Sequence, residues 1–340
     1  MPSPNPSLRW PWWVSPVILL GLAASEQWGA GFSRNWSAGP FLISLFVLGM
    51  PHGAADLERF ARAIGAPGLM RALPRFLPYL AIVLLTVLGI FLAPRAALLL
   101  FALLSAWHFG REDRHGTRLR TVRGMSRGLF LISAPIALHP SEVFRLASDW
   151  LHLLSQPELE RSSWAVISSI AGLVASLSAI TAGALIAVLL VGREERTAIR
   201  EMVELAALGI AFALLDPVFA VGAYFLIWHS LRQMESGPRP ALATLTGLRV
   251  GALPLLLPTL VLYLGISGWV IAAWNPALQV ALLLIFFAAV TPAHECLALW
   301  LEAARAKPAG APADARARRL PSANFAHRPL VTCAPGMFGK

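Results

Sequence analysis

Four of the eight histidines lie within apolar segments of the chain: His52, His108, His229 and His294. Burying an ionisable side chain in an apolar segment is costly, so such a residue marks a candidate functional site. Neutral imidazole is the commonest metal ligand, and an all-imidazole set suits iron, zinc or copper better than magnesium or calcium. The histidines therefore indicate a metal centre, without separating those three metals. The alternative is that each one donates a hydrogen bond across a helix interface.

Three of these histidines are followed, one helical turn later, by a polar residue. Positions i and i+4 share one face of a helix. Metal-bound histidines usually donate their second N–H to a carboxylate or a carbonyl, which fixes the tautomer. We therefore expect supporting contacts from three residues: Asp56 behind His52, Glu112 behind His108 and Gln233 behind His229.

Aromatic residues also flank the histidines. Two surround His108 and three precede His229: Trp107, Phe109, Tyr224, Phe225 and Trp228. We predict that they line an apolar cavity for a long, flat ligand, with ordinary helix packing as the alternative.

The elements that must position these residues are membrane helices. The chain is 57% apolar and only 14% charged, and its mean hydropathy is +0.65. A soluble domain carries about 25% charged residues. Apolar segments of the length needed to span a bilayer, about 20 residues, recur near 11–25, 41–58, 76–93, 95–111, 125–139, 163–191, 202–215, 217–234, 249–273 and 276–301. The predicted fold is an all-α, polytopic integral membrane bundle with about eight to ten transmembrane helices.

The basic residues predict the orientation, because arginine and lysine accumulate on the cytoplasmic side. Ten spans with a cytoplasmic N-terminus leave four arginines outside, namely Arg34, Arg95, Arg145 and Arg161. This arrangement makes the loop near 140–162 external and places the four histidines of the apolar segments near the cytoplasmic ends of their helices. We expect a multi-pass protein of the cell membrane with both termini in the cytoplasm.

The predicted domain organisation is one transmembrane domain, residues 1–302, followed by a disordered cytoplasmic tail, 303–340. The tail is rich in Ala, Pro and Arg and cannot bury a core. The net charge of +10 follows from the cytoplasmic loops, so the expected partner is membrane lipid and not nucleic acid. Cys296 and Cys333 are too few for a disulfide framework or a CxxC metal site.

Four motifs contain the histidines of the apolar segments: MPHGAAD at 50–56, WHFGRED at 107–113, YFLIWHSLRQ at 224–233 and TPAHE at 291–295. In this order, across about 41–300, the chain resembles the Brp/Blh family of microbial β-carotene 15,15′-dioxygenases. The resemblance implies an integral membrane enzyme that holds non-haem Fe(II) through histidines. Such an enzyme uses O₂ to split the central double bond of β-carotene, giving two molecules of retinal.

By this resemblance, His52, His108 and His229 fall on the iron ligands of the family. The family has a further histidine where this chain has Gln233, so His294 or a water would complete the site. The implied partners are a carotenoid and O₂, with a retinal acceptor protein as a further candidate. No catalytic residue beyond the metal ligands is expected.

Two other functions fit the same residues. A membrane haem or electron-transfer protein would use pairs of the histidines as axial ligands. A transporter would use them as a proton relay and would be expected to contain an inverted repeat.

Overall fold

The computed structural model describes residues 11–29, 31–44, 50–66, 69–112, 119–230, 261, 264–268 and 278–306. The named elements within these residues are helices. In chain order they are α1 (Val14–Trp28), α2 (Phe32–Asn35), α3 (Gly39–Ser44), α4 (Met50–Ala63), α5 (Leu69–Leu92), α6 (Pro94–Glu112), α7 (Arg120–Leu138), α8 (Pro140–Leu153), α9 (Arg161–Val191), α10 (Glu195–Leu214), α11 (Pro217–Tyr224), a π-helical turn (Phe225–Ser230) and α12 (Gln279–Ala306).

Three of these helices are long and apolar enough to cross a membrane: Arg71–Leu92 within α5, Arg161–Val191 and Gln279–Ala304 within α12. The pair α7 and α8 forms a fourth candidate, bent by 103°. The structure thus confirms a helical membrane protein. It does not support the predicted eight to ten spans within the described residues.

The difference has identifiable causes. The segment predicted at 11–25 forms α1, which has only 15 residues. The segment predicted at 41–58 includes parts of two helices, α3 and α4. Helix α10 begins Glu-Arg-Thr-Ala-Ile-Arg-Glu, so charged residues occupy its first two turns. Most of 249–273 lies outside the described residues, as does the predicted tail beyond 306.

The predicted external loop near 140–162 is largely helical, which is a correction to the sequence interpretation. Pro140 occupies the first turn of α8, where its missing N–H costs no hydrogen bond. Within α8, Trp150 and Leu151 are fully buried. The acidic residues Glu142 and Asp149 therefore belong to an amphipathic helix.

Helices α6 and α7 pack with their backbones in direct contact. A Cβ atom at Gly128 would overlap the carbonyl oxygen of Ala106, and one at Gly110 would overlap the carbonyl oxygen of Gly124. Such small-xxx-small spacing on both helices allows the closest approach in membrane bundles. Because His108 lies between Ala106 and Gly110, this contact fixes the position of the histidine on α6.

The start of α11 is held by Asp216. Its carboxylate accepts hydrogen bonds from the N–H groups of Val218 and Phe219 at 3.0 and 3.2 Å, as an N-terminal cap should. The backbone N–H of Asp216 donates to Ser33 Oγ at 2.9 Å. Since α11 continues into the π-helical turn, this anchor also positions His229.

Candidate functional site

Two of the predicted ligands meet in the interior. The Nε2 atoms of His108, in the last turns of α6, and His229, in the π-helical turn, lie 3.1 Å apart. Both side chains are buried. The two rings are 4.8 Å apart between centroids and inclined at 64°, so one edge of each faces the other.

Trp228 lies next to His229 in the π-helical turn. The Trp228 side chain is fully buried, and the guanidinium of Arg127 lies 4.9 Å from the centroid of its ring. Arg127 in turn donates to the buried carboxylate of Glu204 on α10. Turns of π-helix are rare and occur mostly at functional sites. Here the turn is fixed by a cation–π contact and a buried ion pair.

Glu295, on α12, contacts the Nδ1 atom of His108. The Nδ1–H of His108 donates to Oε1 of Glu295, which leaves the Nε2 lone pair of His108 directed at His229. Arg111, one turn after His108, donates from Nη2 to Oε1 of Glu295 at 3.2 Å and forms an ion pair with the carboxylate. It also donates to the exposed Glu302, with Nη1 and Oε1 2.9 Å apart. The buried charge of Glu295 is therefore compensated by a cation.

A buried carboxylate also accepts a hydrogen bond from His294. Its Nδ1 donates to Oδ2 of Asp56 at 2.7 Å, and the Tyr79 hydroxyl donates to the same oxygen at 3.2 Å. Its ring centroid is 5.5 Å from that of His108. Two histidines on different helices are thus each backed by a buried carboxylate, which is the usual arrangement behind a metal-bound imidazole.

These contacts assign Asp56 to a partner that the sequence analysis did not pair with it. The i, i+4 spacing paired Asp56 with His52, whereas its carboxylate accepts from His294. His52 lies in α4, but its side chain is not among those described, nor is the side chain of Glu112. Gln233 also lies outside the described residues.

His108, His229 and His294 line one large cavity of about 700 Å³. Cavities of 300–1,000 Å³ are typical of small-molecule sites. Of the five predicted aromatic wall residues, Phe109 and Phe225 line it. Tyr224 and Trp228 are packed in the core cluster instead, and Trp107 is 39% exposed on α6.

The walls of the cavity are almost entirely apolar side chains. They come from α3 to α9, from α11, from the π-helical turn and from α12. The few polar residues on the walls include Tyr79, Ser105 and Thr291, besides the histidines. Such a cavity accommodates a large hydrocarbon and disfavours water.

The donor geometry is compatible with a metal. Two imidazoles that share one metal at about 2.1 Å place their nitrogens roughly 3.0–3.4 Å apart, depending on the angle. The 3.1 Å between His108 and His229 fits that range. Among the described side chains, however, no three His, Cys, Asp or Glu already surround one point as a complete site.

Sequence reasoning missed Glu295, Tyr79 and Arg111. Glu295 directly follows His294 in TPAHE, and Arg111 lies three residues after His108 in WHFGRED, so both were within the motifs. Their roles depend on contacts between residues far apart in sequence, which helical spacing does not report. Tyr79 lies outside these motifs, and nothing in the sequence around it indicated a contact with the site.

Comparison with known proteins identifies the family of the chain. The family described as beta-carotene 15,15′-dioxygenase matches residues 43–302, well over half of the chain. The probable beta-carotene 15,15′-dioxygenase Blh of Halobacterium salinarum is 26% identical over 339 residues, covering 85% of this chain and 90% of that protein. No solved structure matches the chain. The match to the family includes all four histidines of the apolar segments, and the chain belongs to the beta-carotene 15,15′-dioxygenase family.

Proposed function

We propose that this protein uses O₂ and a ferrous iron to cleave the central double bond of β-carotene, or a related carotenoid, to retinal. The observation that carries the proposal is the convergence of His108 and His229 at 3.1 Å on the wall of a large apolar cavity. Family membership supplies the substrate class.

The type of reaction favours a redox-active metal over zinc, and the resemblance to the family favours iron. Imidazole suits iron, zinc and copper, but zinc has no redox chemistry. A ferrous iron held there would supply the activation of O₂, which no side chain can provide. The buried carboxylates Asp56 and Glu295 favour a cation nearby and orient the two histidines that donate to them.

We assign the ligands as His108, His229 and His294, with His52 as a further ligand by family resemblance. His294 stands in for the family histidine that Gln233 replaces. In support, Asp56 accepts from the Nδ1–H of His294, so Nε2 is the nitrogen that would bind a metal. His294 also lines the same cavity as His108 and His229.

The remaining work of the protein is to position the polyene and exclude water. Phe225 stacks on His229 with centroids 5.3 Å apart and rings inclined by 27°. Phe109 meets the same ring edge-on at 5.0 Å. These contacts hold the imidazole in one orientation and present apolar surface to the substrate.

The haem alternative conflicts with the geometry of this histidine pair. Axial ligands on opposite faces of a porphyrin lie about 4 Å apart, twice a metal–nitrogen bond of about 2 Å. His108 and His229 are closer than that at 3.1 Å, with no room for a macrocycle between them. A shared metal without a porphyrin fits better.

We further propose that the histidines lie toward the cytoplasmic side of the cell membrane, with both termini in the cytoplasm. The support is the clustering of arginines in 111–127 and 235–249. Single cysteines at positions 118 and 152, in a background without native cysteine, would be labelled from outside only at 152. Labelling of 118 alone would reverse the orientation.

The activity is tested by expression in a bacterium that makes β-carotene. The native protein should bleach the cells and yield retinal in the extract, and His108→Ala should do neither. Full colour with the native protein present in the membrane at normal amounts would contradict the proposal. A product other than retinal would instead revise the cleavage position.

A further inference from the structure

The cavity extends far beyond the histidines. It is lined by both His108 and Arg95, which lie 13 positions apart on α6. At 1.5 Å per residue, this corresponds to about 20 Å along the helix axis. Leu98 and Ala102 on α6 and Ile132 and Ile136 on α7 line the stretch between. The cavity therefore extends about 20 Å along α6, and one of its ends lies at the histidines.

The far end is covered by α8. The chain turns by 103° between α7 and α8, and α8 contributes Val143 and Ala147, among others, to the cavity wall. Two indole hydrogen bonds hold α8 in place. Trp150 donates to the Pro94 carbonyl at 3.2 Å, and Trp164 donates to the Pro140 carbonyl at 2.8 Å. Helix α8 thus covers part of this end of the cavity, where the exposed Arg95 also lines the wall.

The side of the cavity is not covered in the same way. Leu99 on α6 and Ile167 on α9 both line the cavity, yet 61% and 40% of their surfaces are exposed. Their helices also carry exposed residues that lie outside the cavity wall, Leu103 and Ile170. A surface of this composition faces lipid in a membrane protein. Among the described residues, the opening at Leu99 and Ile167 therefore leads from the cavity into the bilayer.

We infer that the carotenoid enters sideways from the bilayer, between α6 and α9 and beneath α8, and slides along α6 to the histidines. This inference rests on the proposed function for the identity of the occupant. A carotenoid partitions into the hydrocarbon of the membrane, so an opening to lipid spares it any passage through water. The two indole N–H groups at this end donate to backbone carbonyls, and the Arg95 guanidinium donates to the Pro157 carbonyl at 3.3 Å, so these polar groups have partners within the protein.

The test narrows the opening without touching the histidines. Ile167→Trp and Leu99→Trp place an indole at its two edges. Ile170→Trp and Leu103→Trp are the matched controls, since both positions face lipid on the same helices but do not line the cavity. Each protein is purified with its iron and reconstituted into vesicles that contain β-carotene. Carotenoid uptake is followed by its induced circular dichroism, and retinal is measured separately.

We expect both edge variants to take up carotenoid about tenfold more slowly than their controls, because a narrowed opening lowers the association rate. Their iron content should equal that of the controls. Equal uptake in edge and control variants, with retinal formed normally, would overturn the entry route and leave the proposed function intact. If uptake slows but no variant and no native protein yields retinal, the entry route stands and the proposed function falls.

Another exposed residue of the cavity wall provides a competing route. Leu80, next to Tyr79 on α5, is 45% exposed and also lines the cavity. Slowed uptake in Leu80→Trp, with normal uptake in Ile167→Trp and Leu99→Trp, would place the entry beside α5 and overturn the inference.

Discussion

The Nδ1 atom of His294 lies 2.7 Å from Oδ2 of Asp56, although 238 residues separate the two in sequence. The contact joins α12, the last described helix, to α4. It turns His294 so that its other nitrogen serves the cavity shared with His108 and His229. Asp56 thus orients a histidine on a different helix from its own.

The first prediction concerns this pair. Asp56→Asn should lower the affinity for ferrous iron by roughly 10–100-fold, the usual cost of losing a carboxylate behind a metal-bound histidine. His294→Ala should do at least as much harm. The double variant should bind iron no worse than His294→Ala alone, because the carboxylate acts through the imidazole. Iron affinity is measured by titration of the metal-free protein in detergent.

Arg59→Gln is the matched control for the first prediction. Arg59 lies 3.7 Å from Asp56 but is partly exposed, so its removal should change iron affinity little. If the losses from Asp56→Asn and His294→Ala simply add, the two residues do not act on one ligand.

The second prediction concerns Glu295, which accepts from His108. Glu295→Gln keeps the shape but removes the charge, and it should weaken iron binding by roughly 10–100-fold. Glu302→Gln should have little effect, because the Glu302 side chain is 58% exposed and such a pair contributes about 0–1 kcal/mol. Both are measured as iron retained after dialysis against a chelator. Equal retention in the two variants would remove Glu295 from the metal centre.

The sequence predicted a helical membrane protein and drew attention to the four histidines in apolar segments, because both observations depend on local composition. The residues that contact these histidines could not be predicted in the same way. Helical spacing pairs residues within one helix, so it assigned Asp56 to His52 and passed over Glu295, which contacts His108 across 187 positions. Which helices are neighbours depends on packing that sequence periodicity does not encode.

Helix α8 shows a second limit of sequence reasoning. Its acidic residues, Glu142 and Asp149, favoured an external loop, whereas Trp150 and Leu151 pack into the core on the other face of the same helix. Charge alone therefore did not predict the local structure of this segment. Trp107 and Phe109 illustrate the same point, since only Phe109 faces the cavity.

The third prediction concerns the contact between α6 and α7. Gly128→Ala should destabilise the protein by about 1–3 kcal/mol, because the added methyl overlaps the carbonyl oxygen of Ala106. Gly183→Ala on α9 is the control, since nothing lies within 4 Å of a Cβ at that position. It should be neutral or slightly stabilising, as alanine favours helix. Thermal unfolding in detergent measures both, and similar midpoints would show that the backbones need not touch.

The fourth prediction concerns Asp216, the cap of α11. Asp216→Ala loses the acceptor for the N–H groups of Val218 and Phe219. It should cost about 1 kcal/mol, and iron content should fall with it because α11 leads into the turn that holds His229. Asp216→Asn keeps a capping oxygen and should retain the iron.

The acid dependence of stability separates the charge of Asp216 from its capping role. Burial raises the pKa of Asp216 above its ordinary value of 3.8, although hydrogen bonds from the N–H groups of Phe219 and Val218 oppose the shift. The folded protein therefore binds this proton more tightly than the unfolded chain does. The stabilisation that this tighter proton binding provides is complete below pH 3.8 and is lost as the pH rises through the pKa of Asp216 in the folded protein.

The Asp216→Asn variant does not titrate at this position. It should therefore be more stable than the native protein at neutral pH, and this advantage should fade as the pH falls toward 3.8. Unfolding midpoints of the native protein and both variants across this range provide the test. An Asn variant less stable than the native protein at neutral pH would mean that the ionised carboxylate is the better cap, and that burial does not dominate at this position.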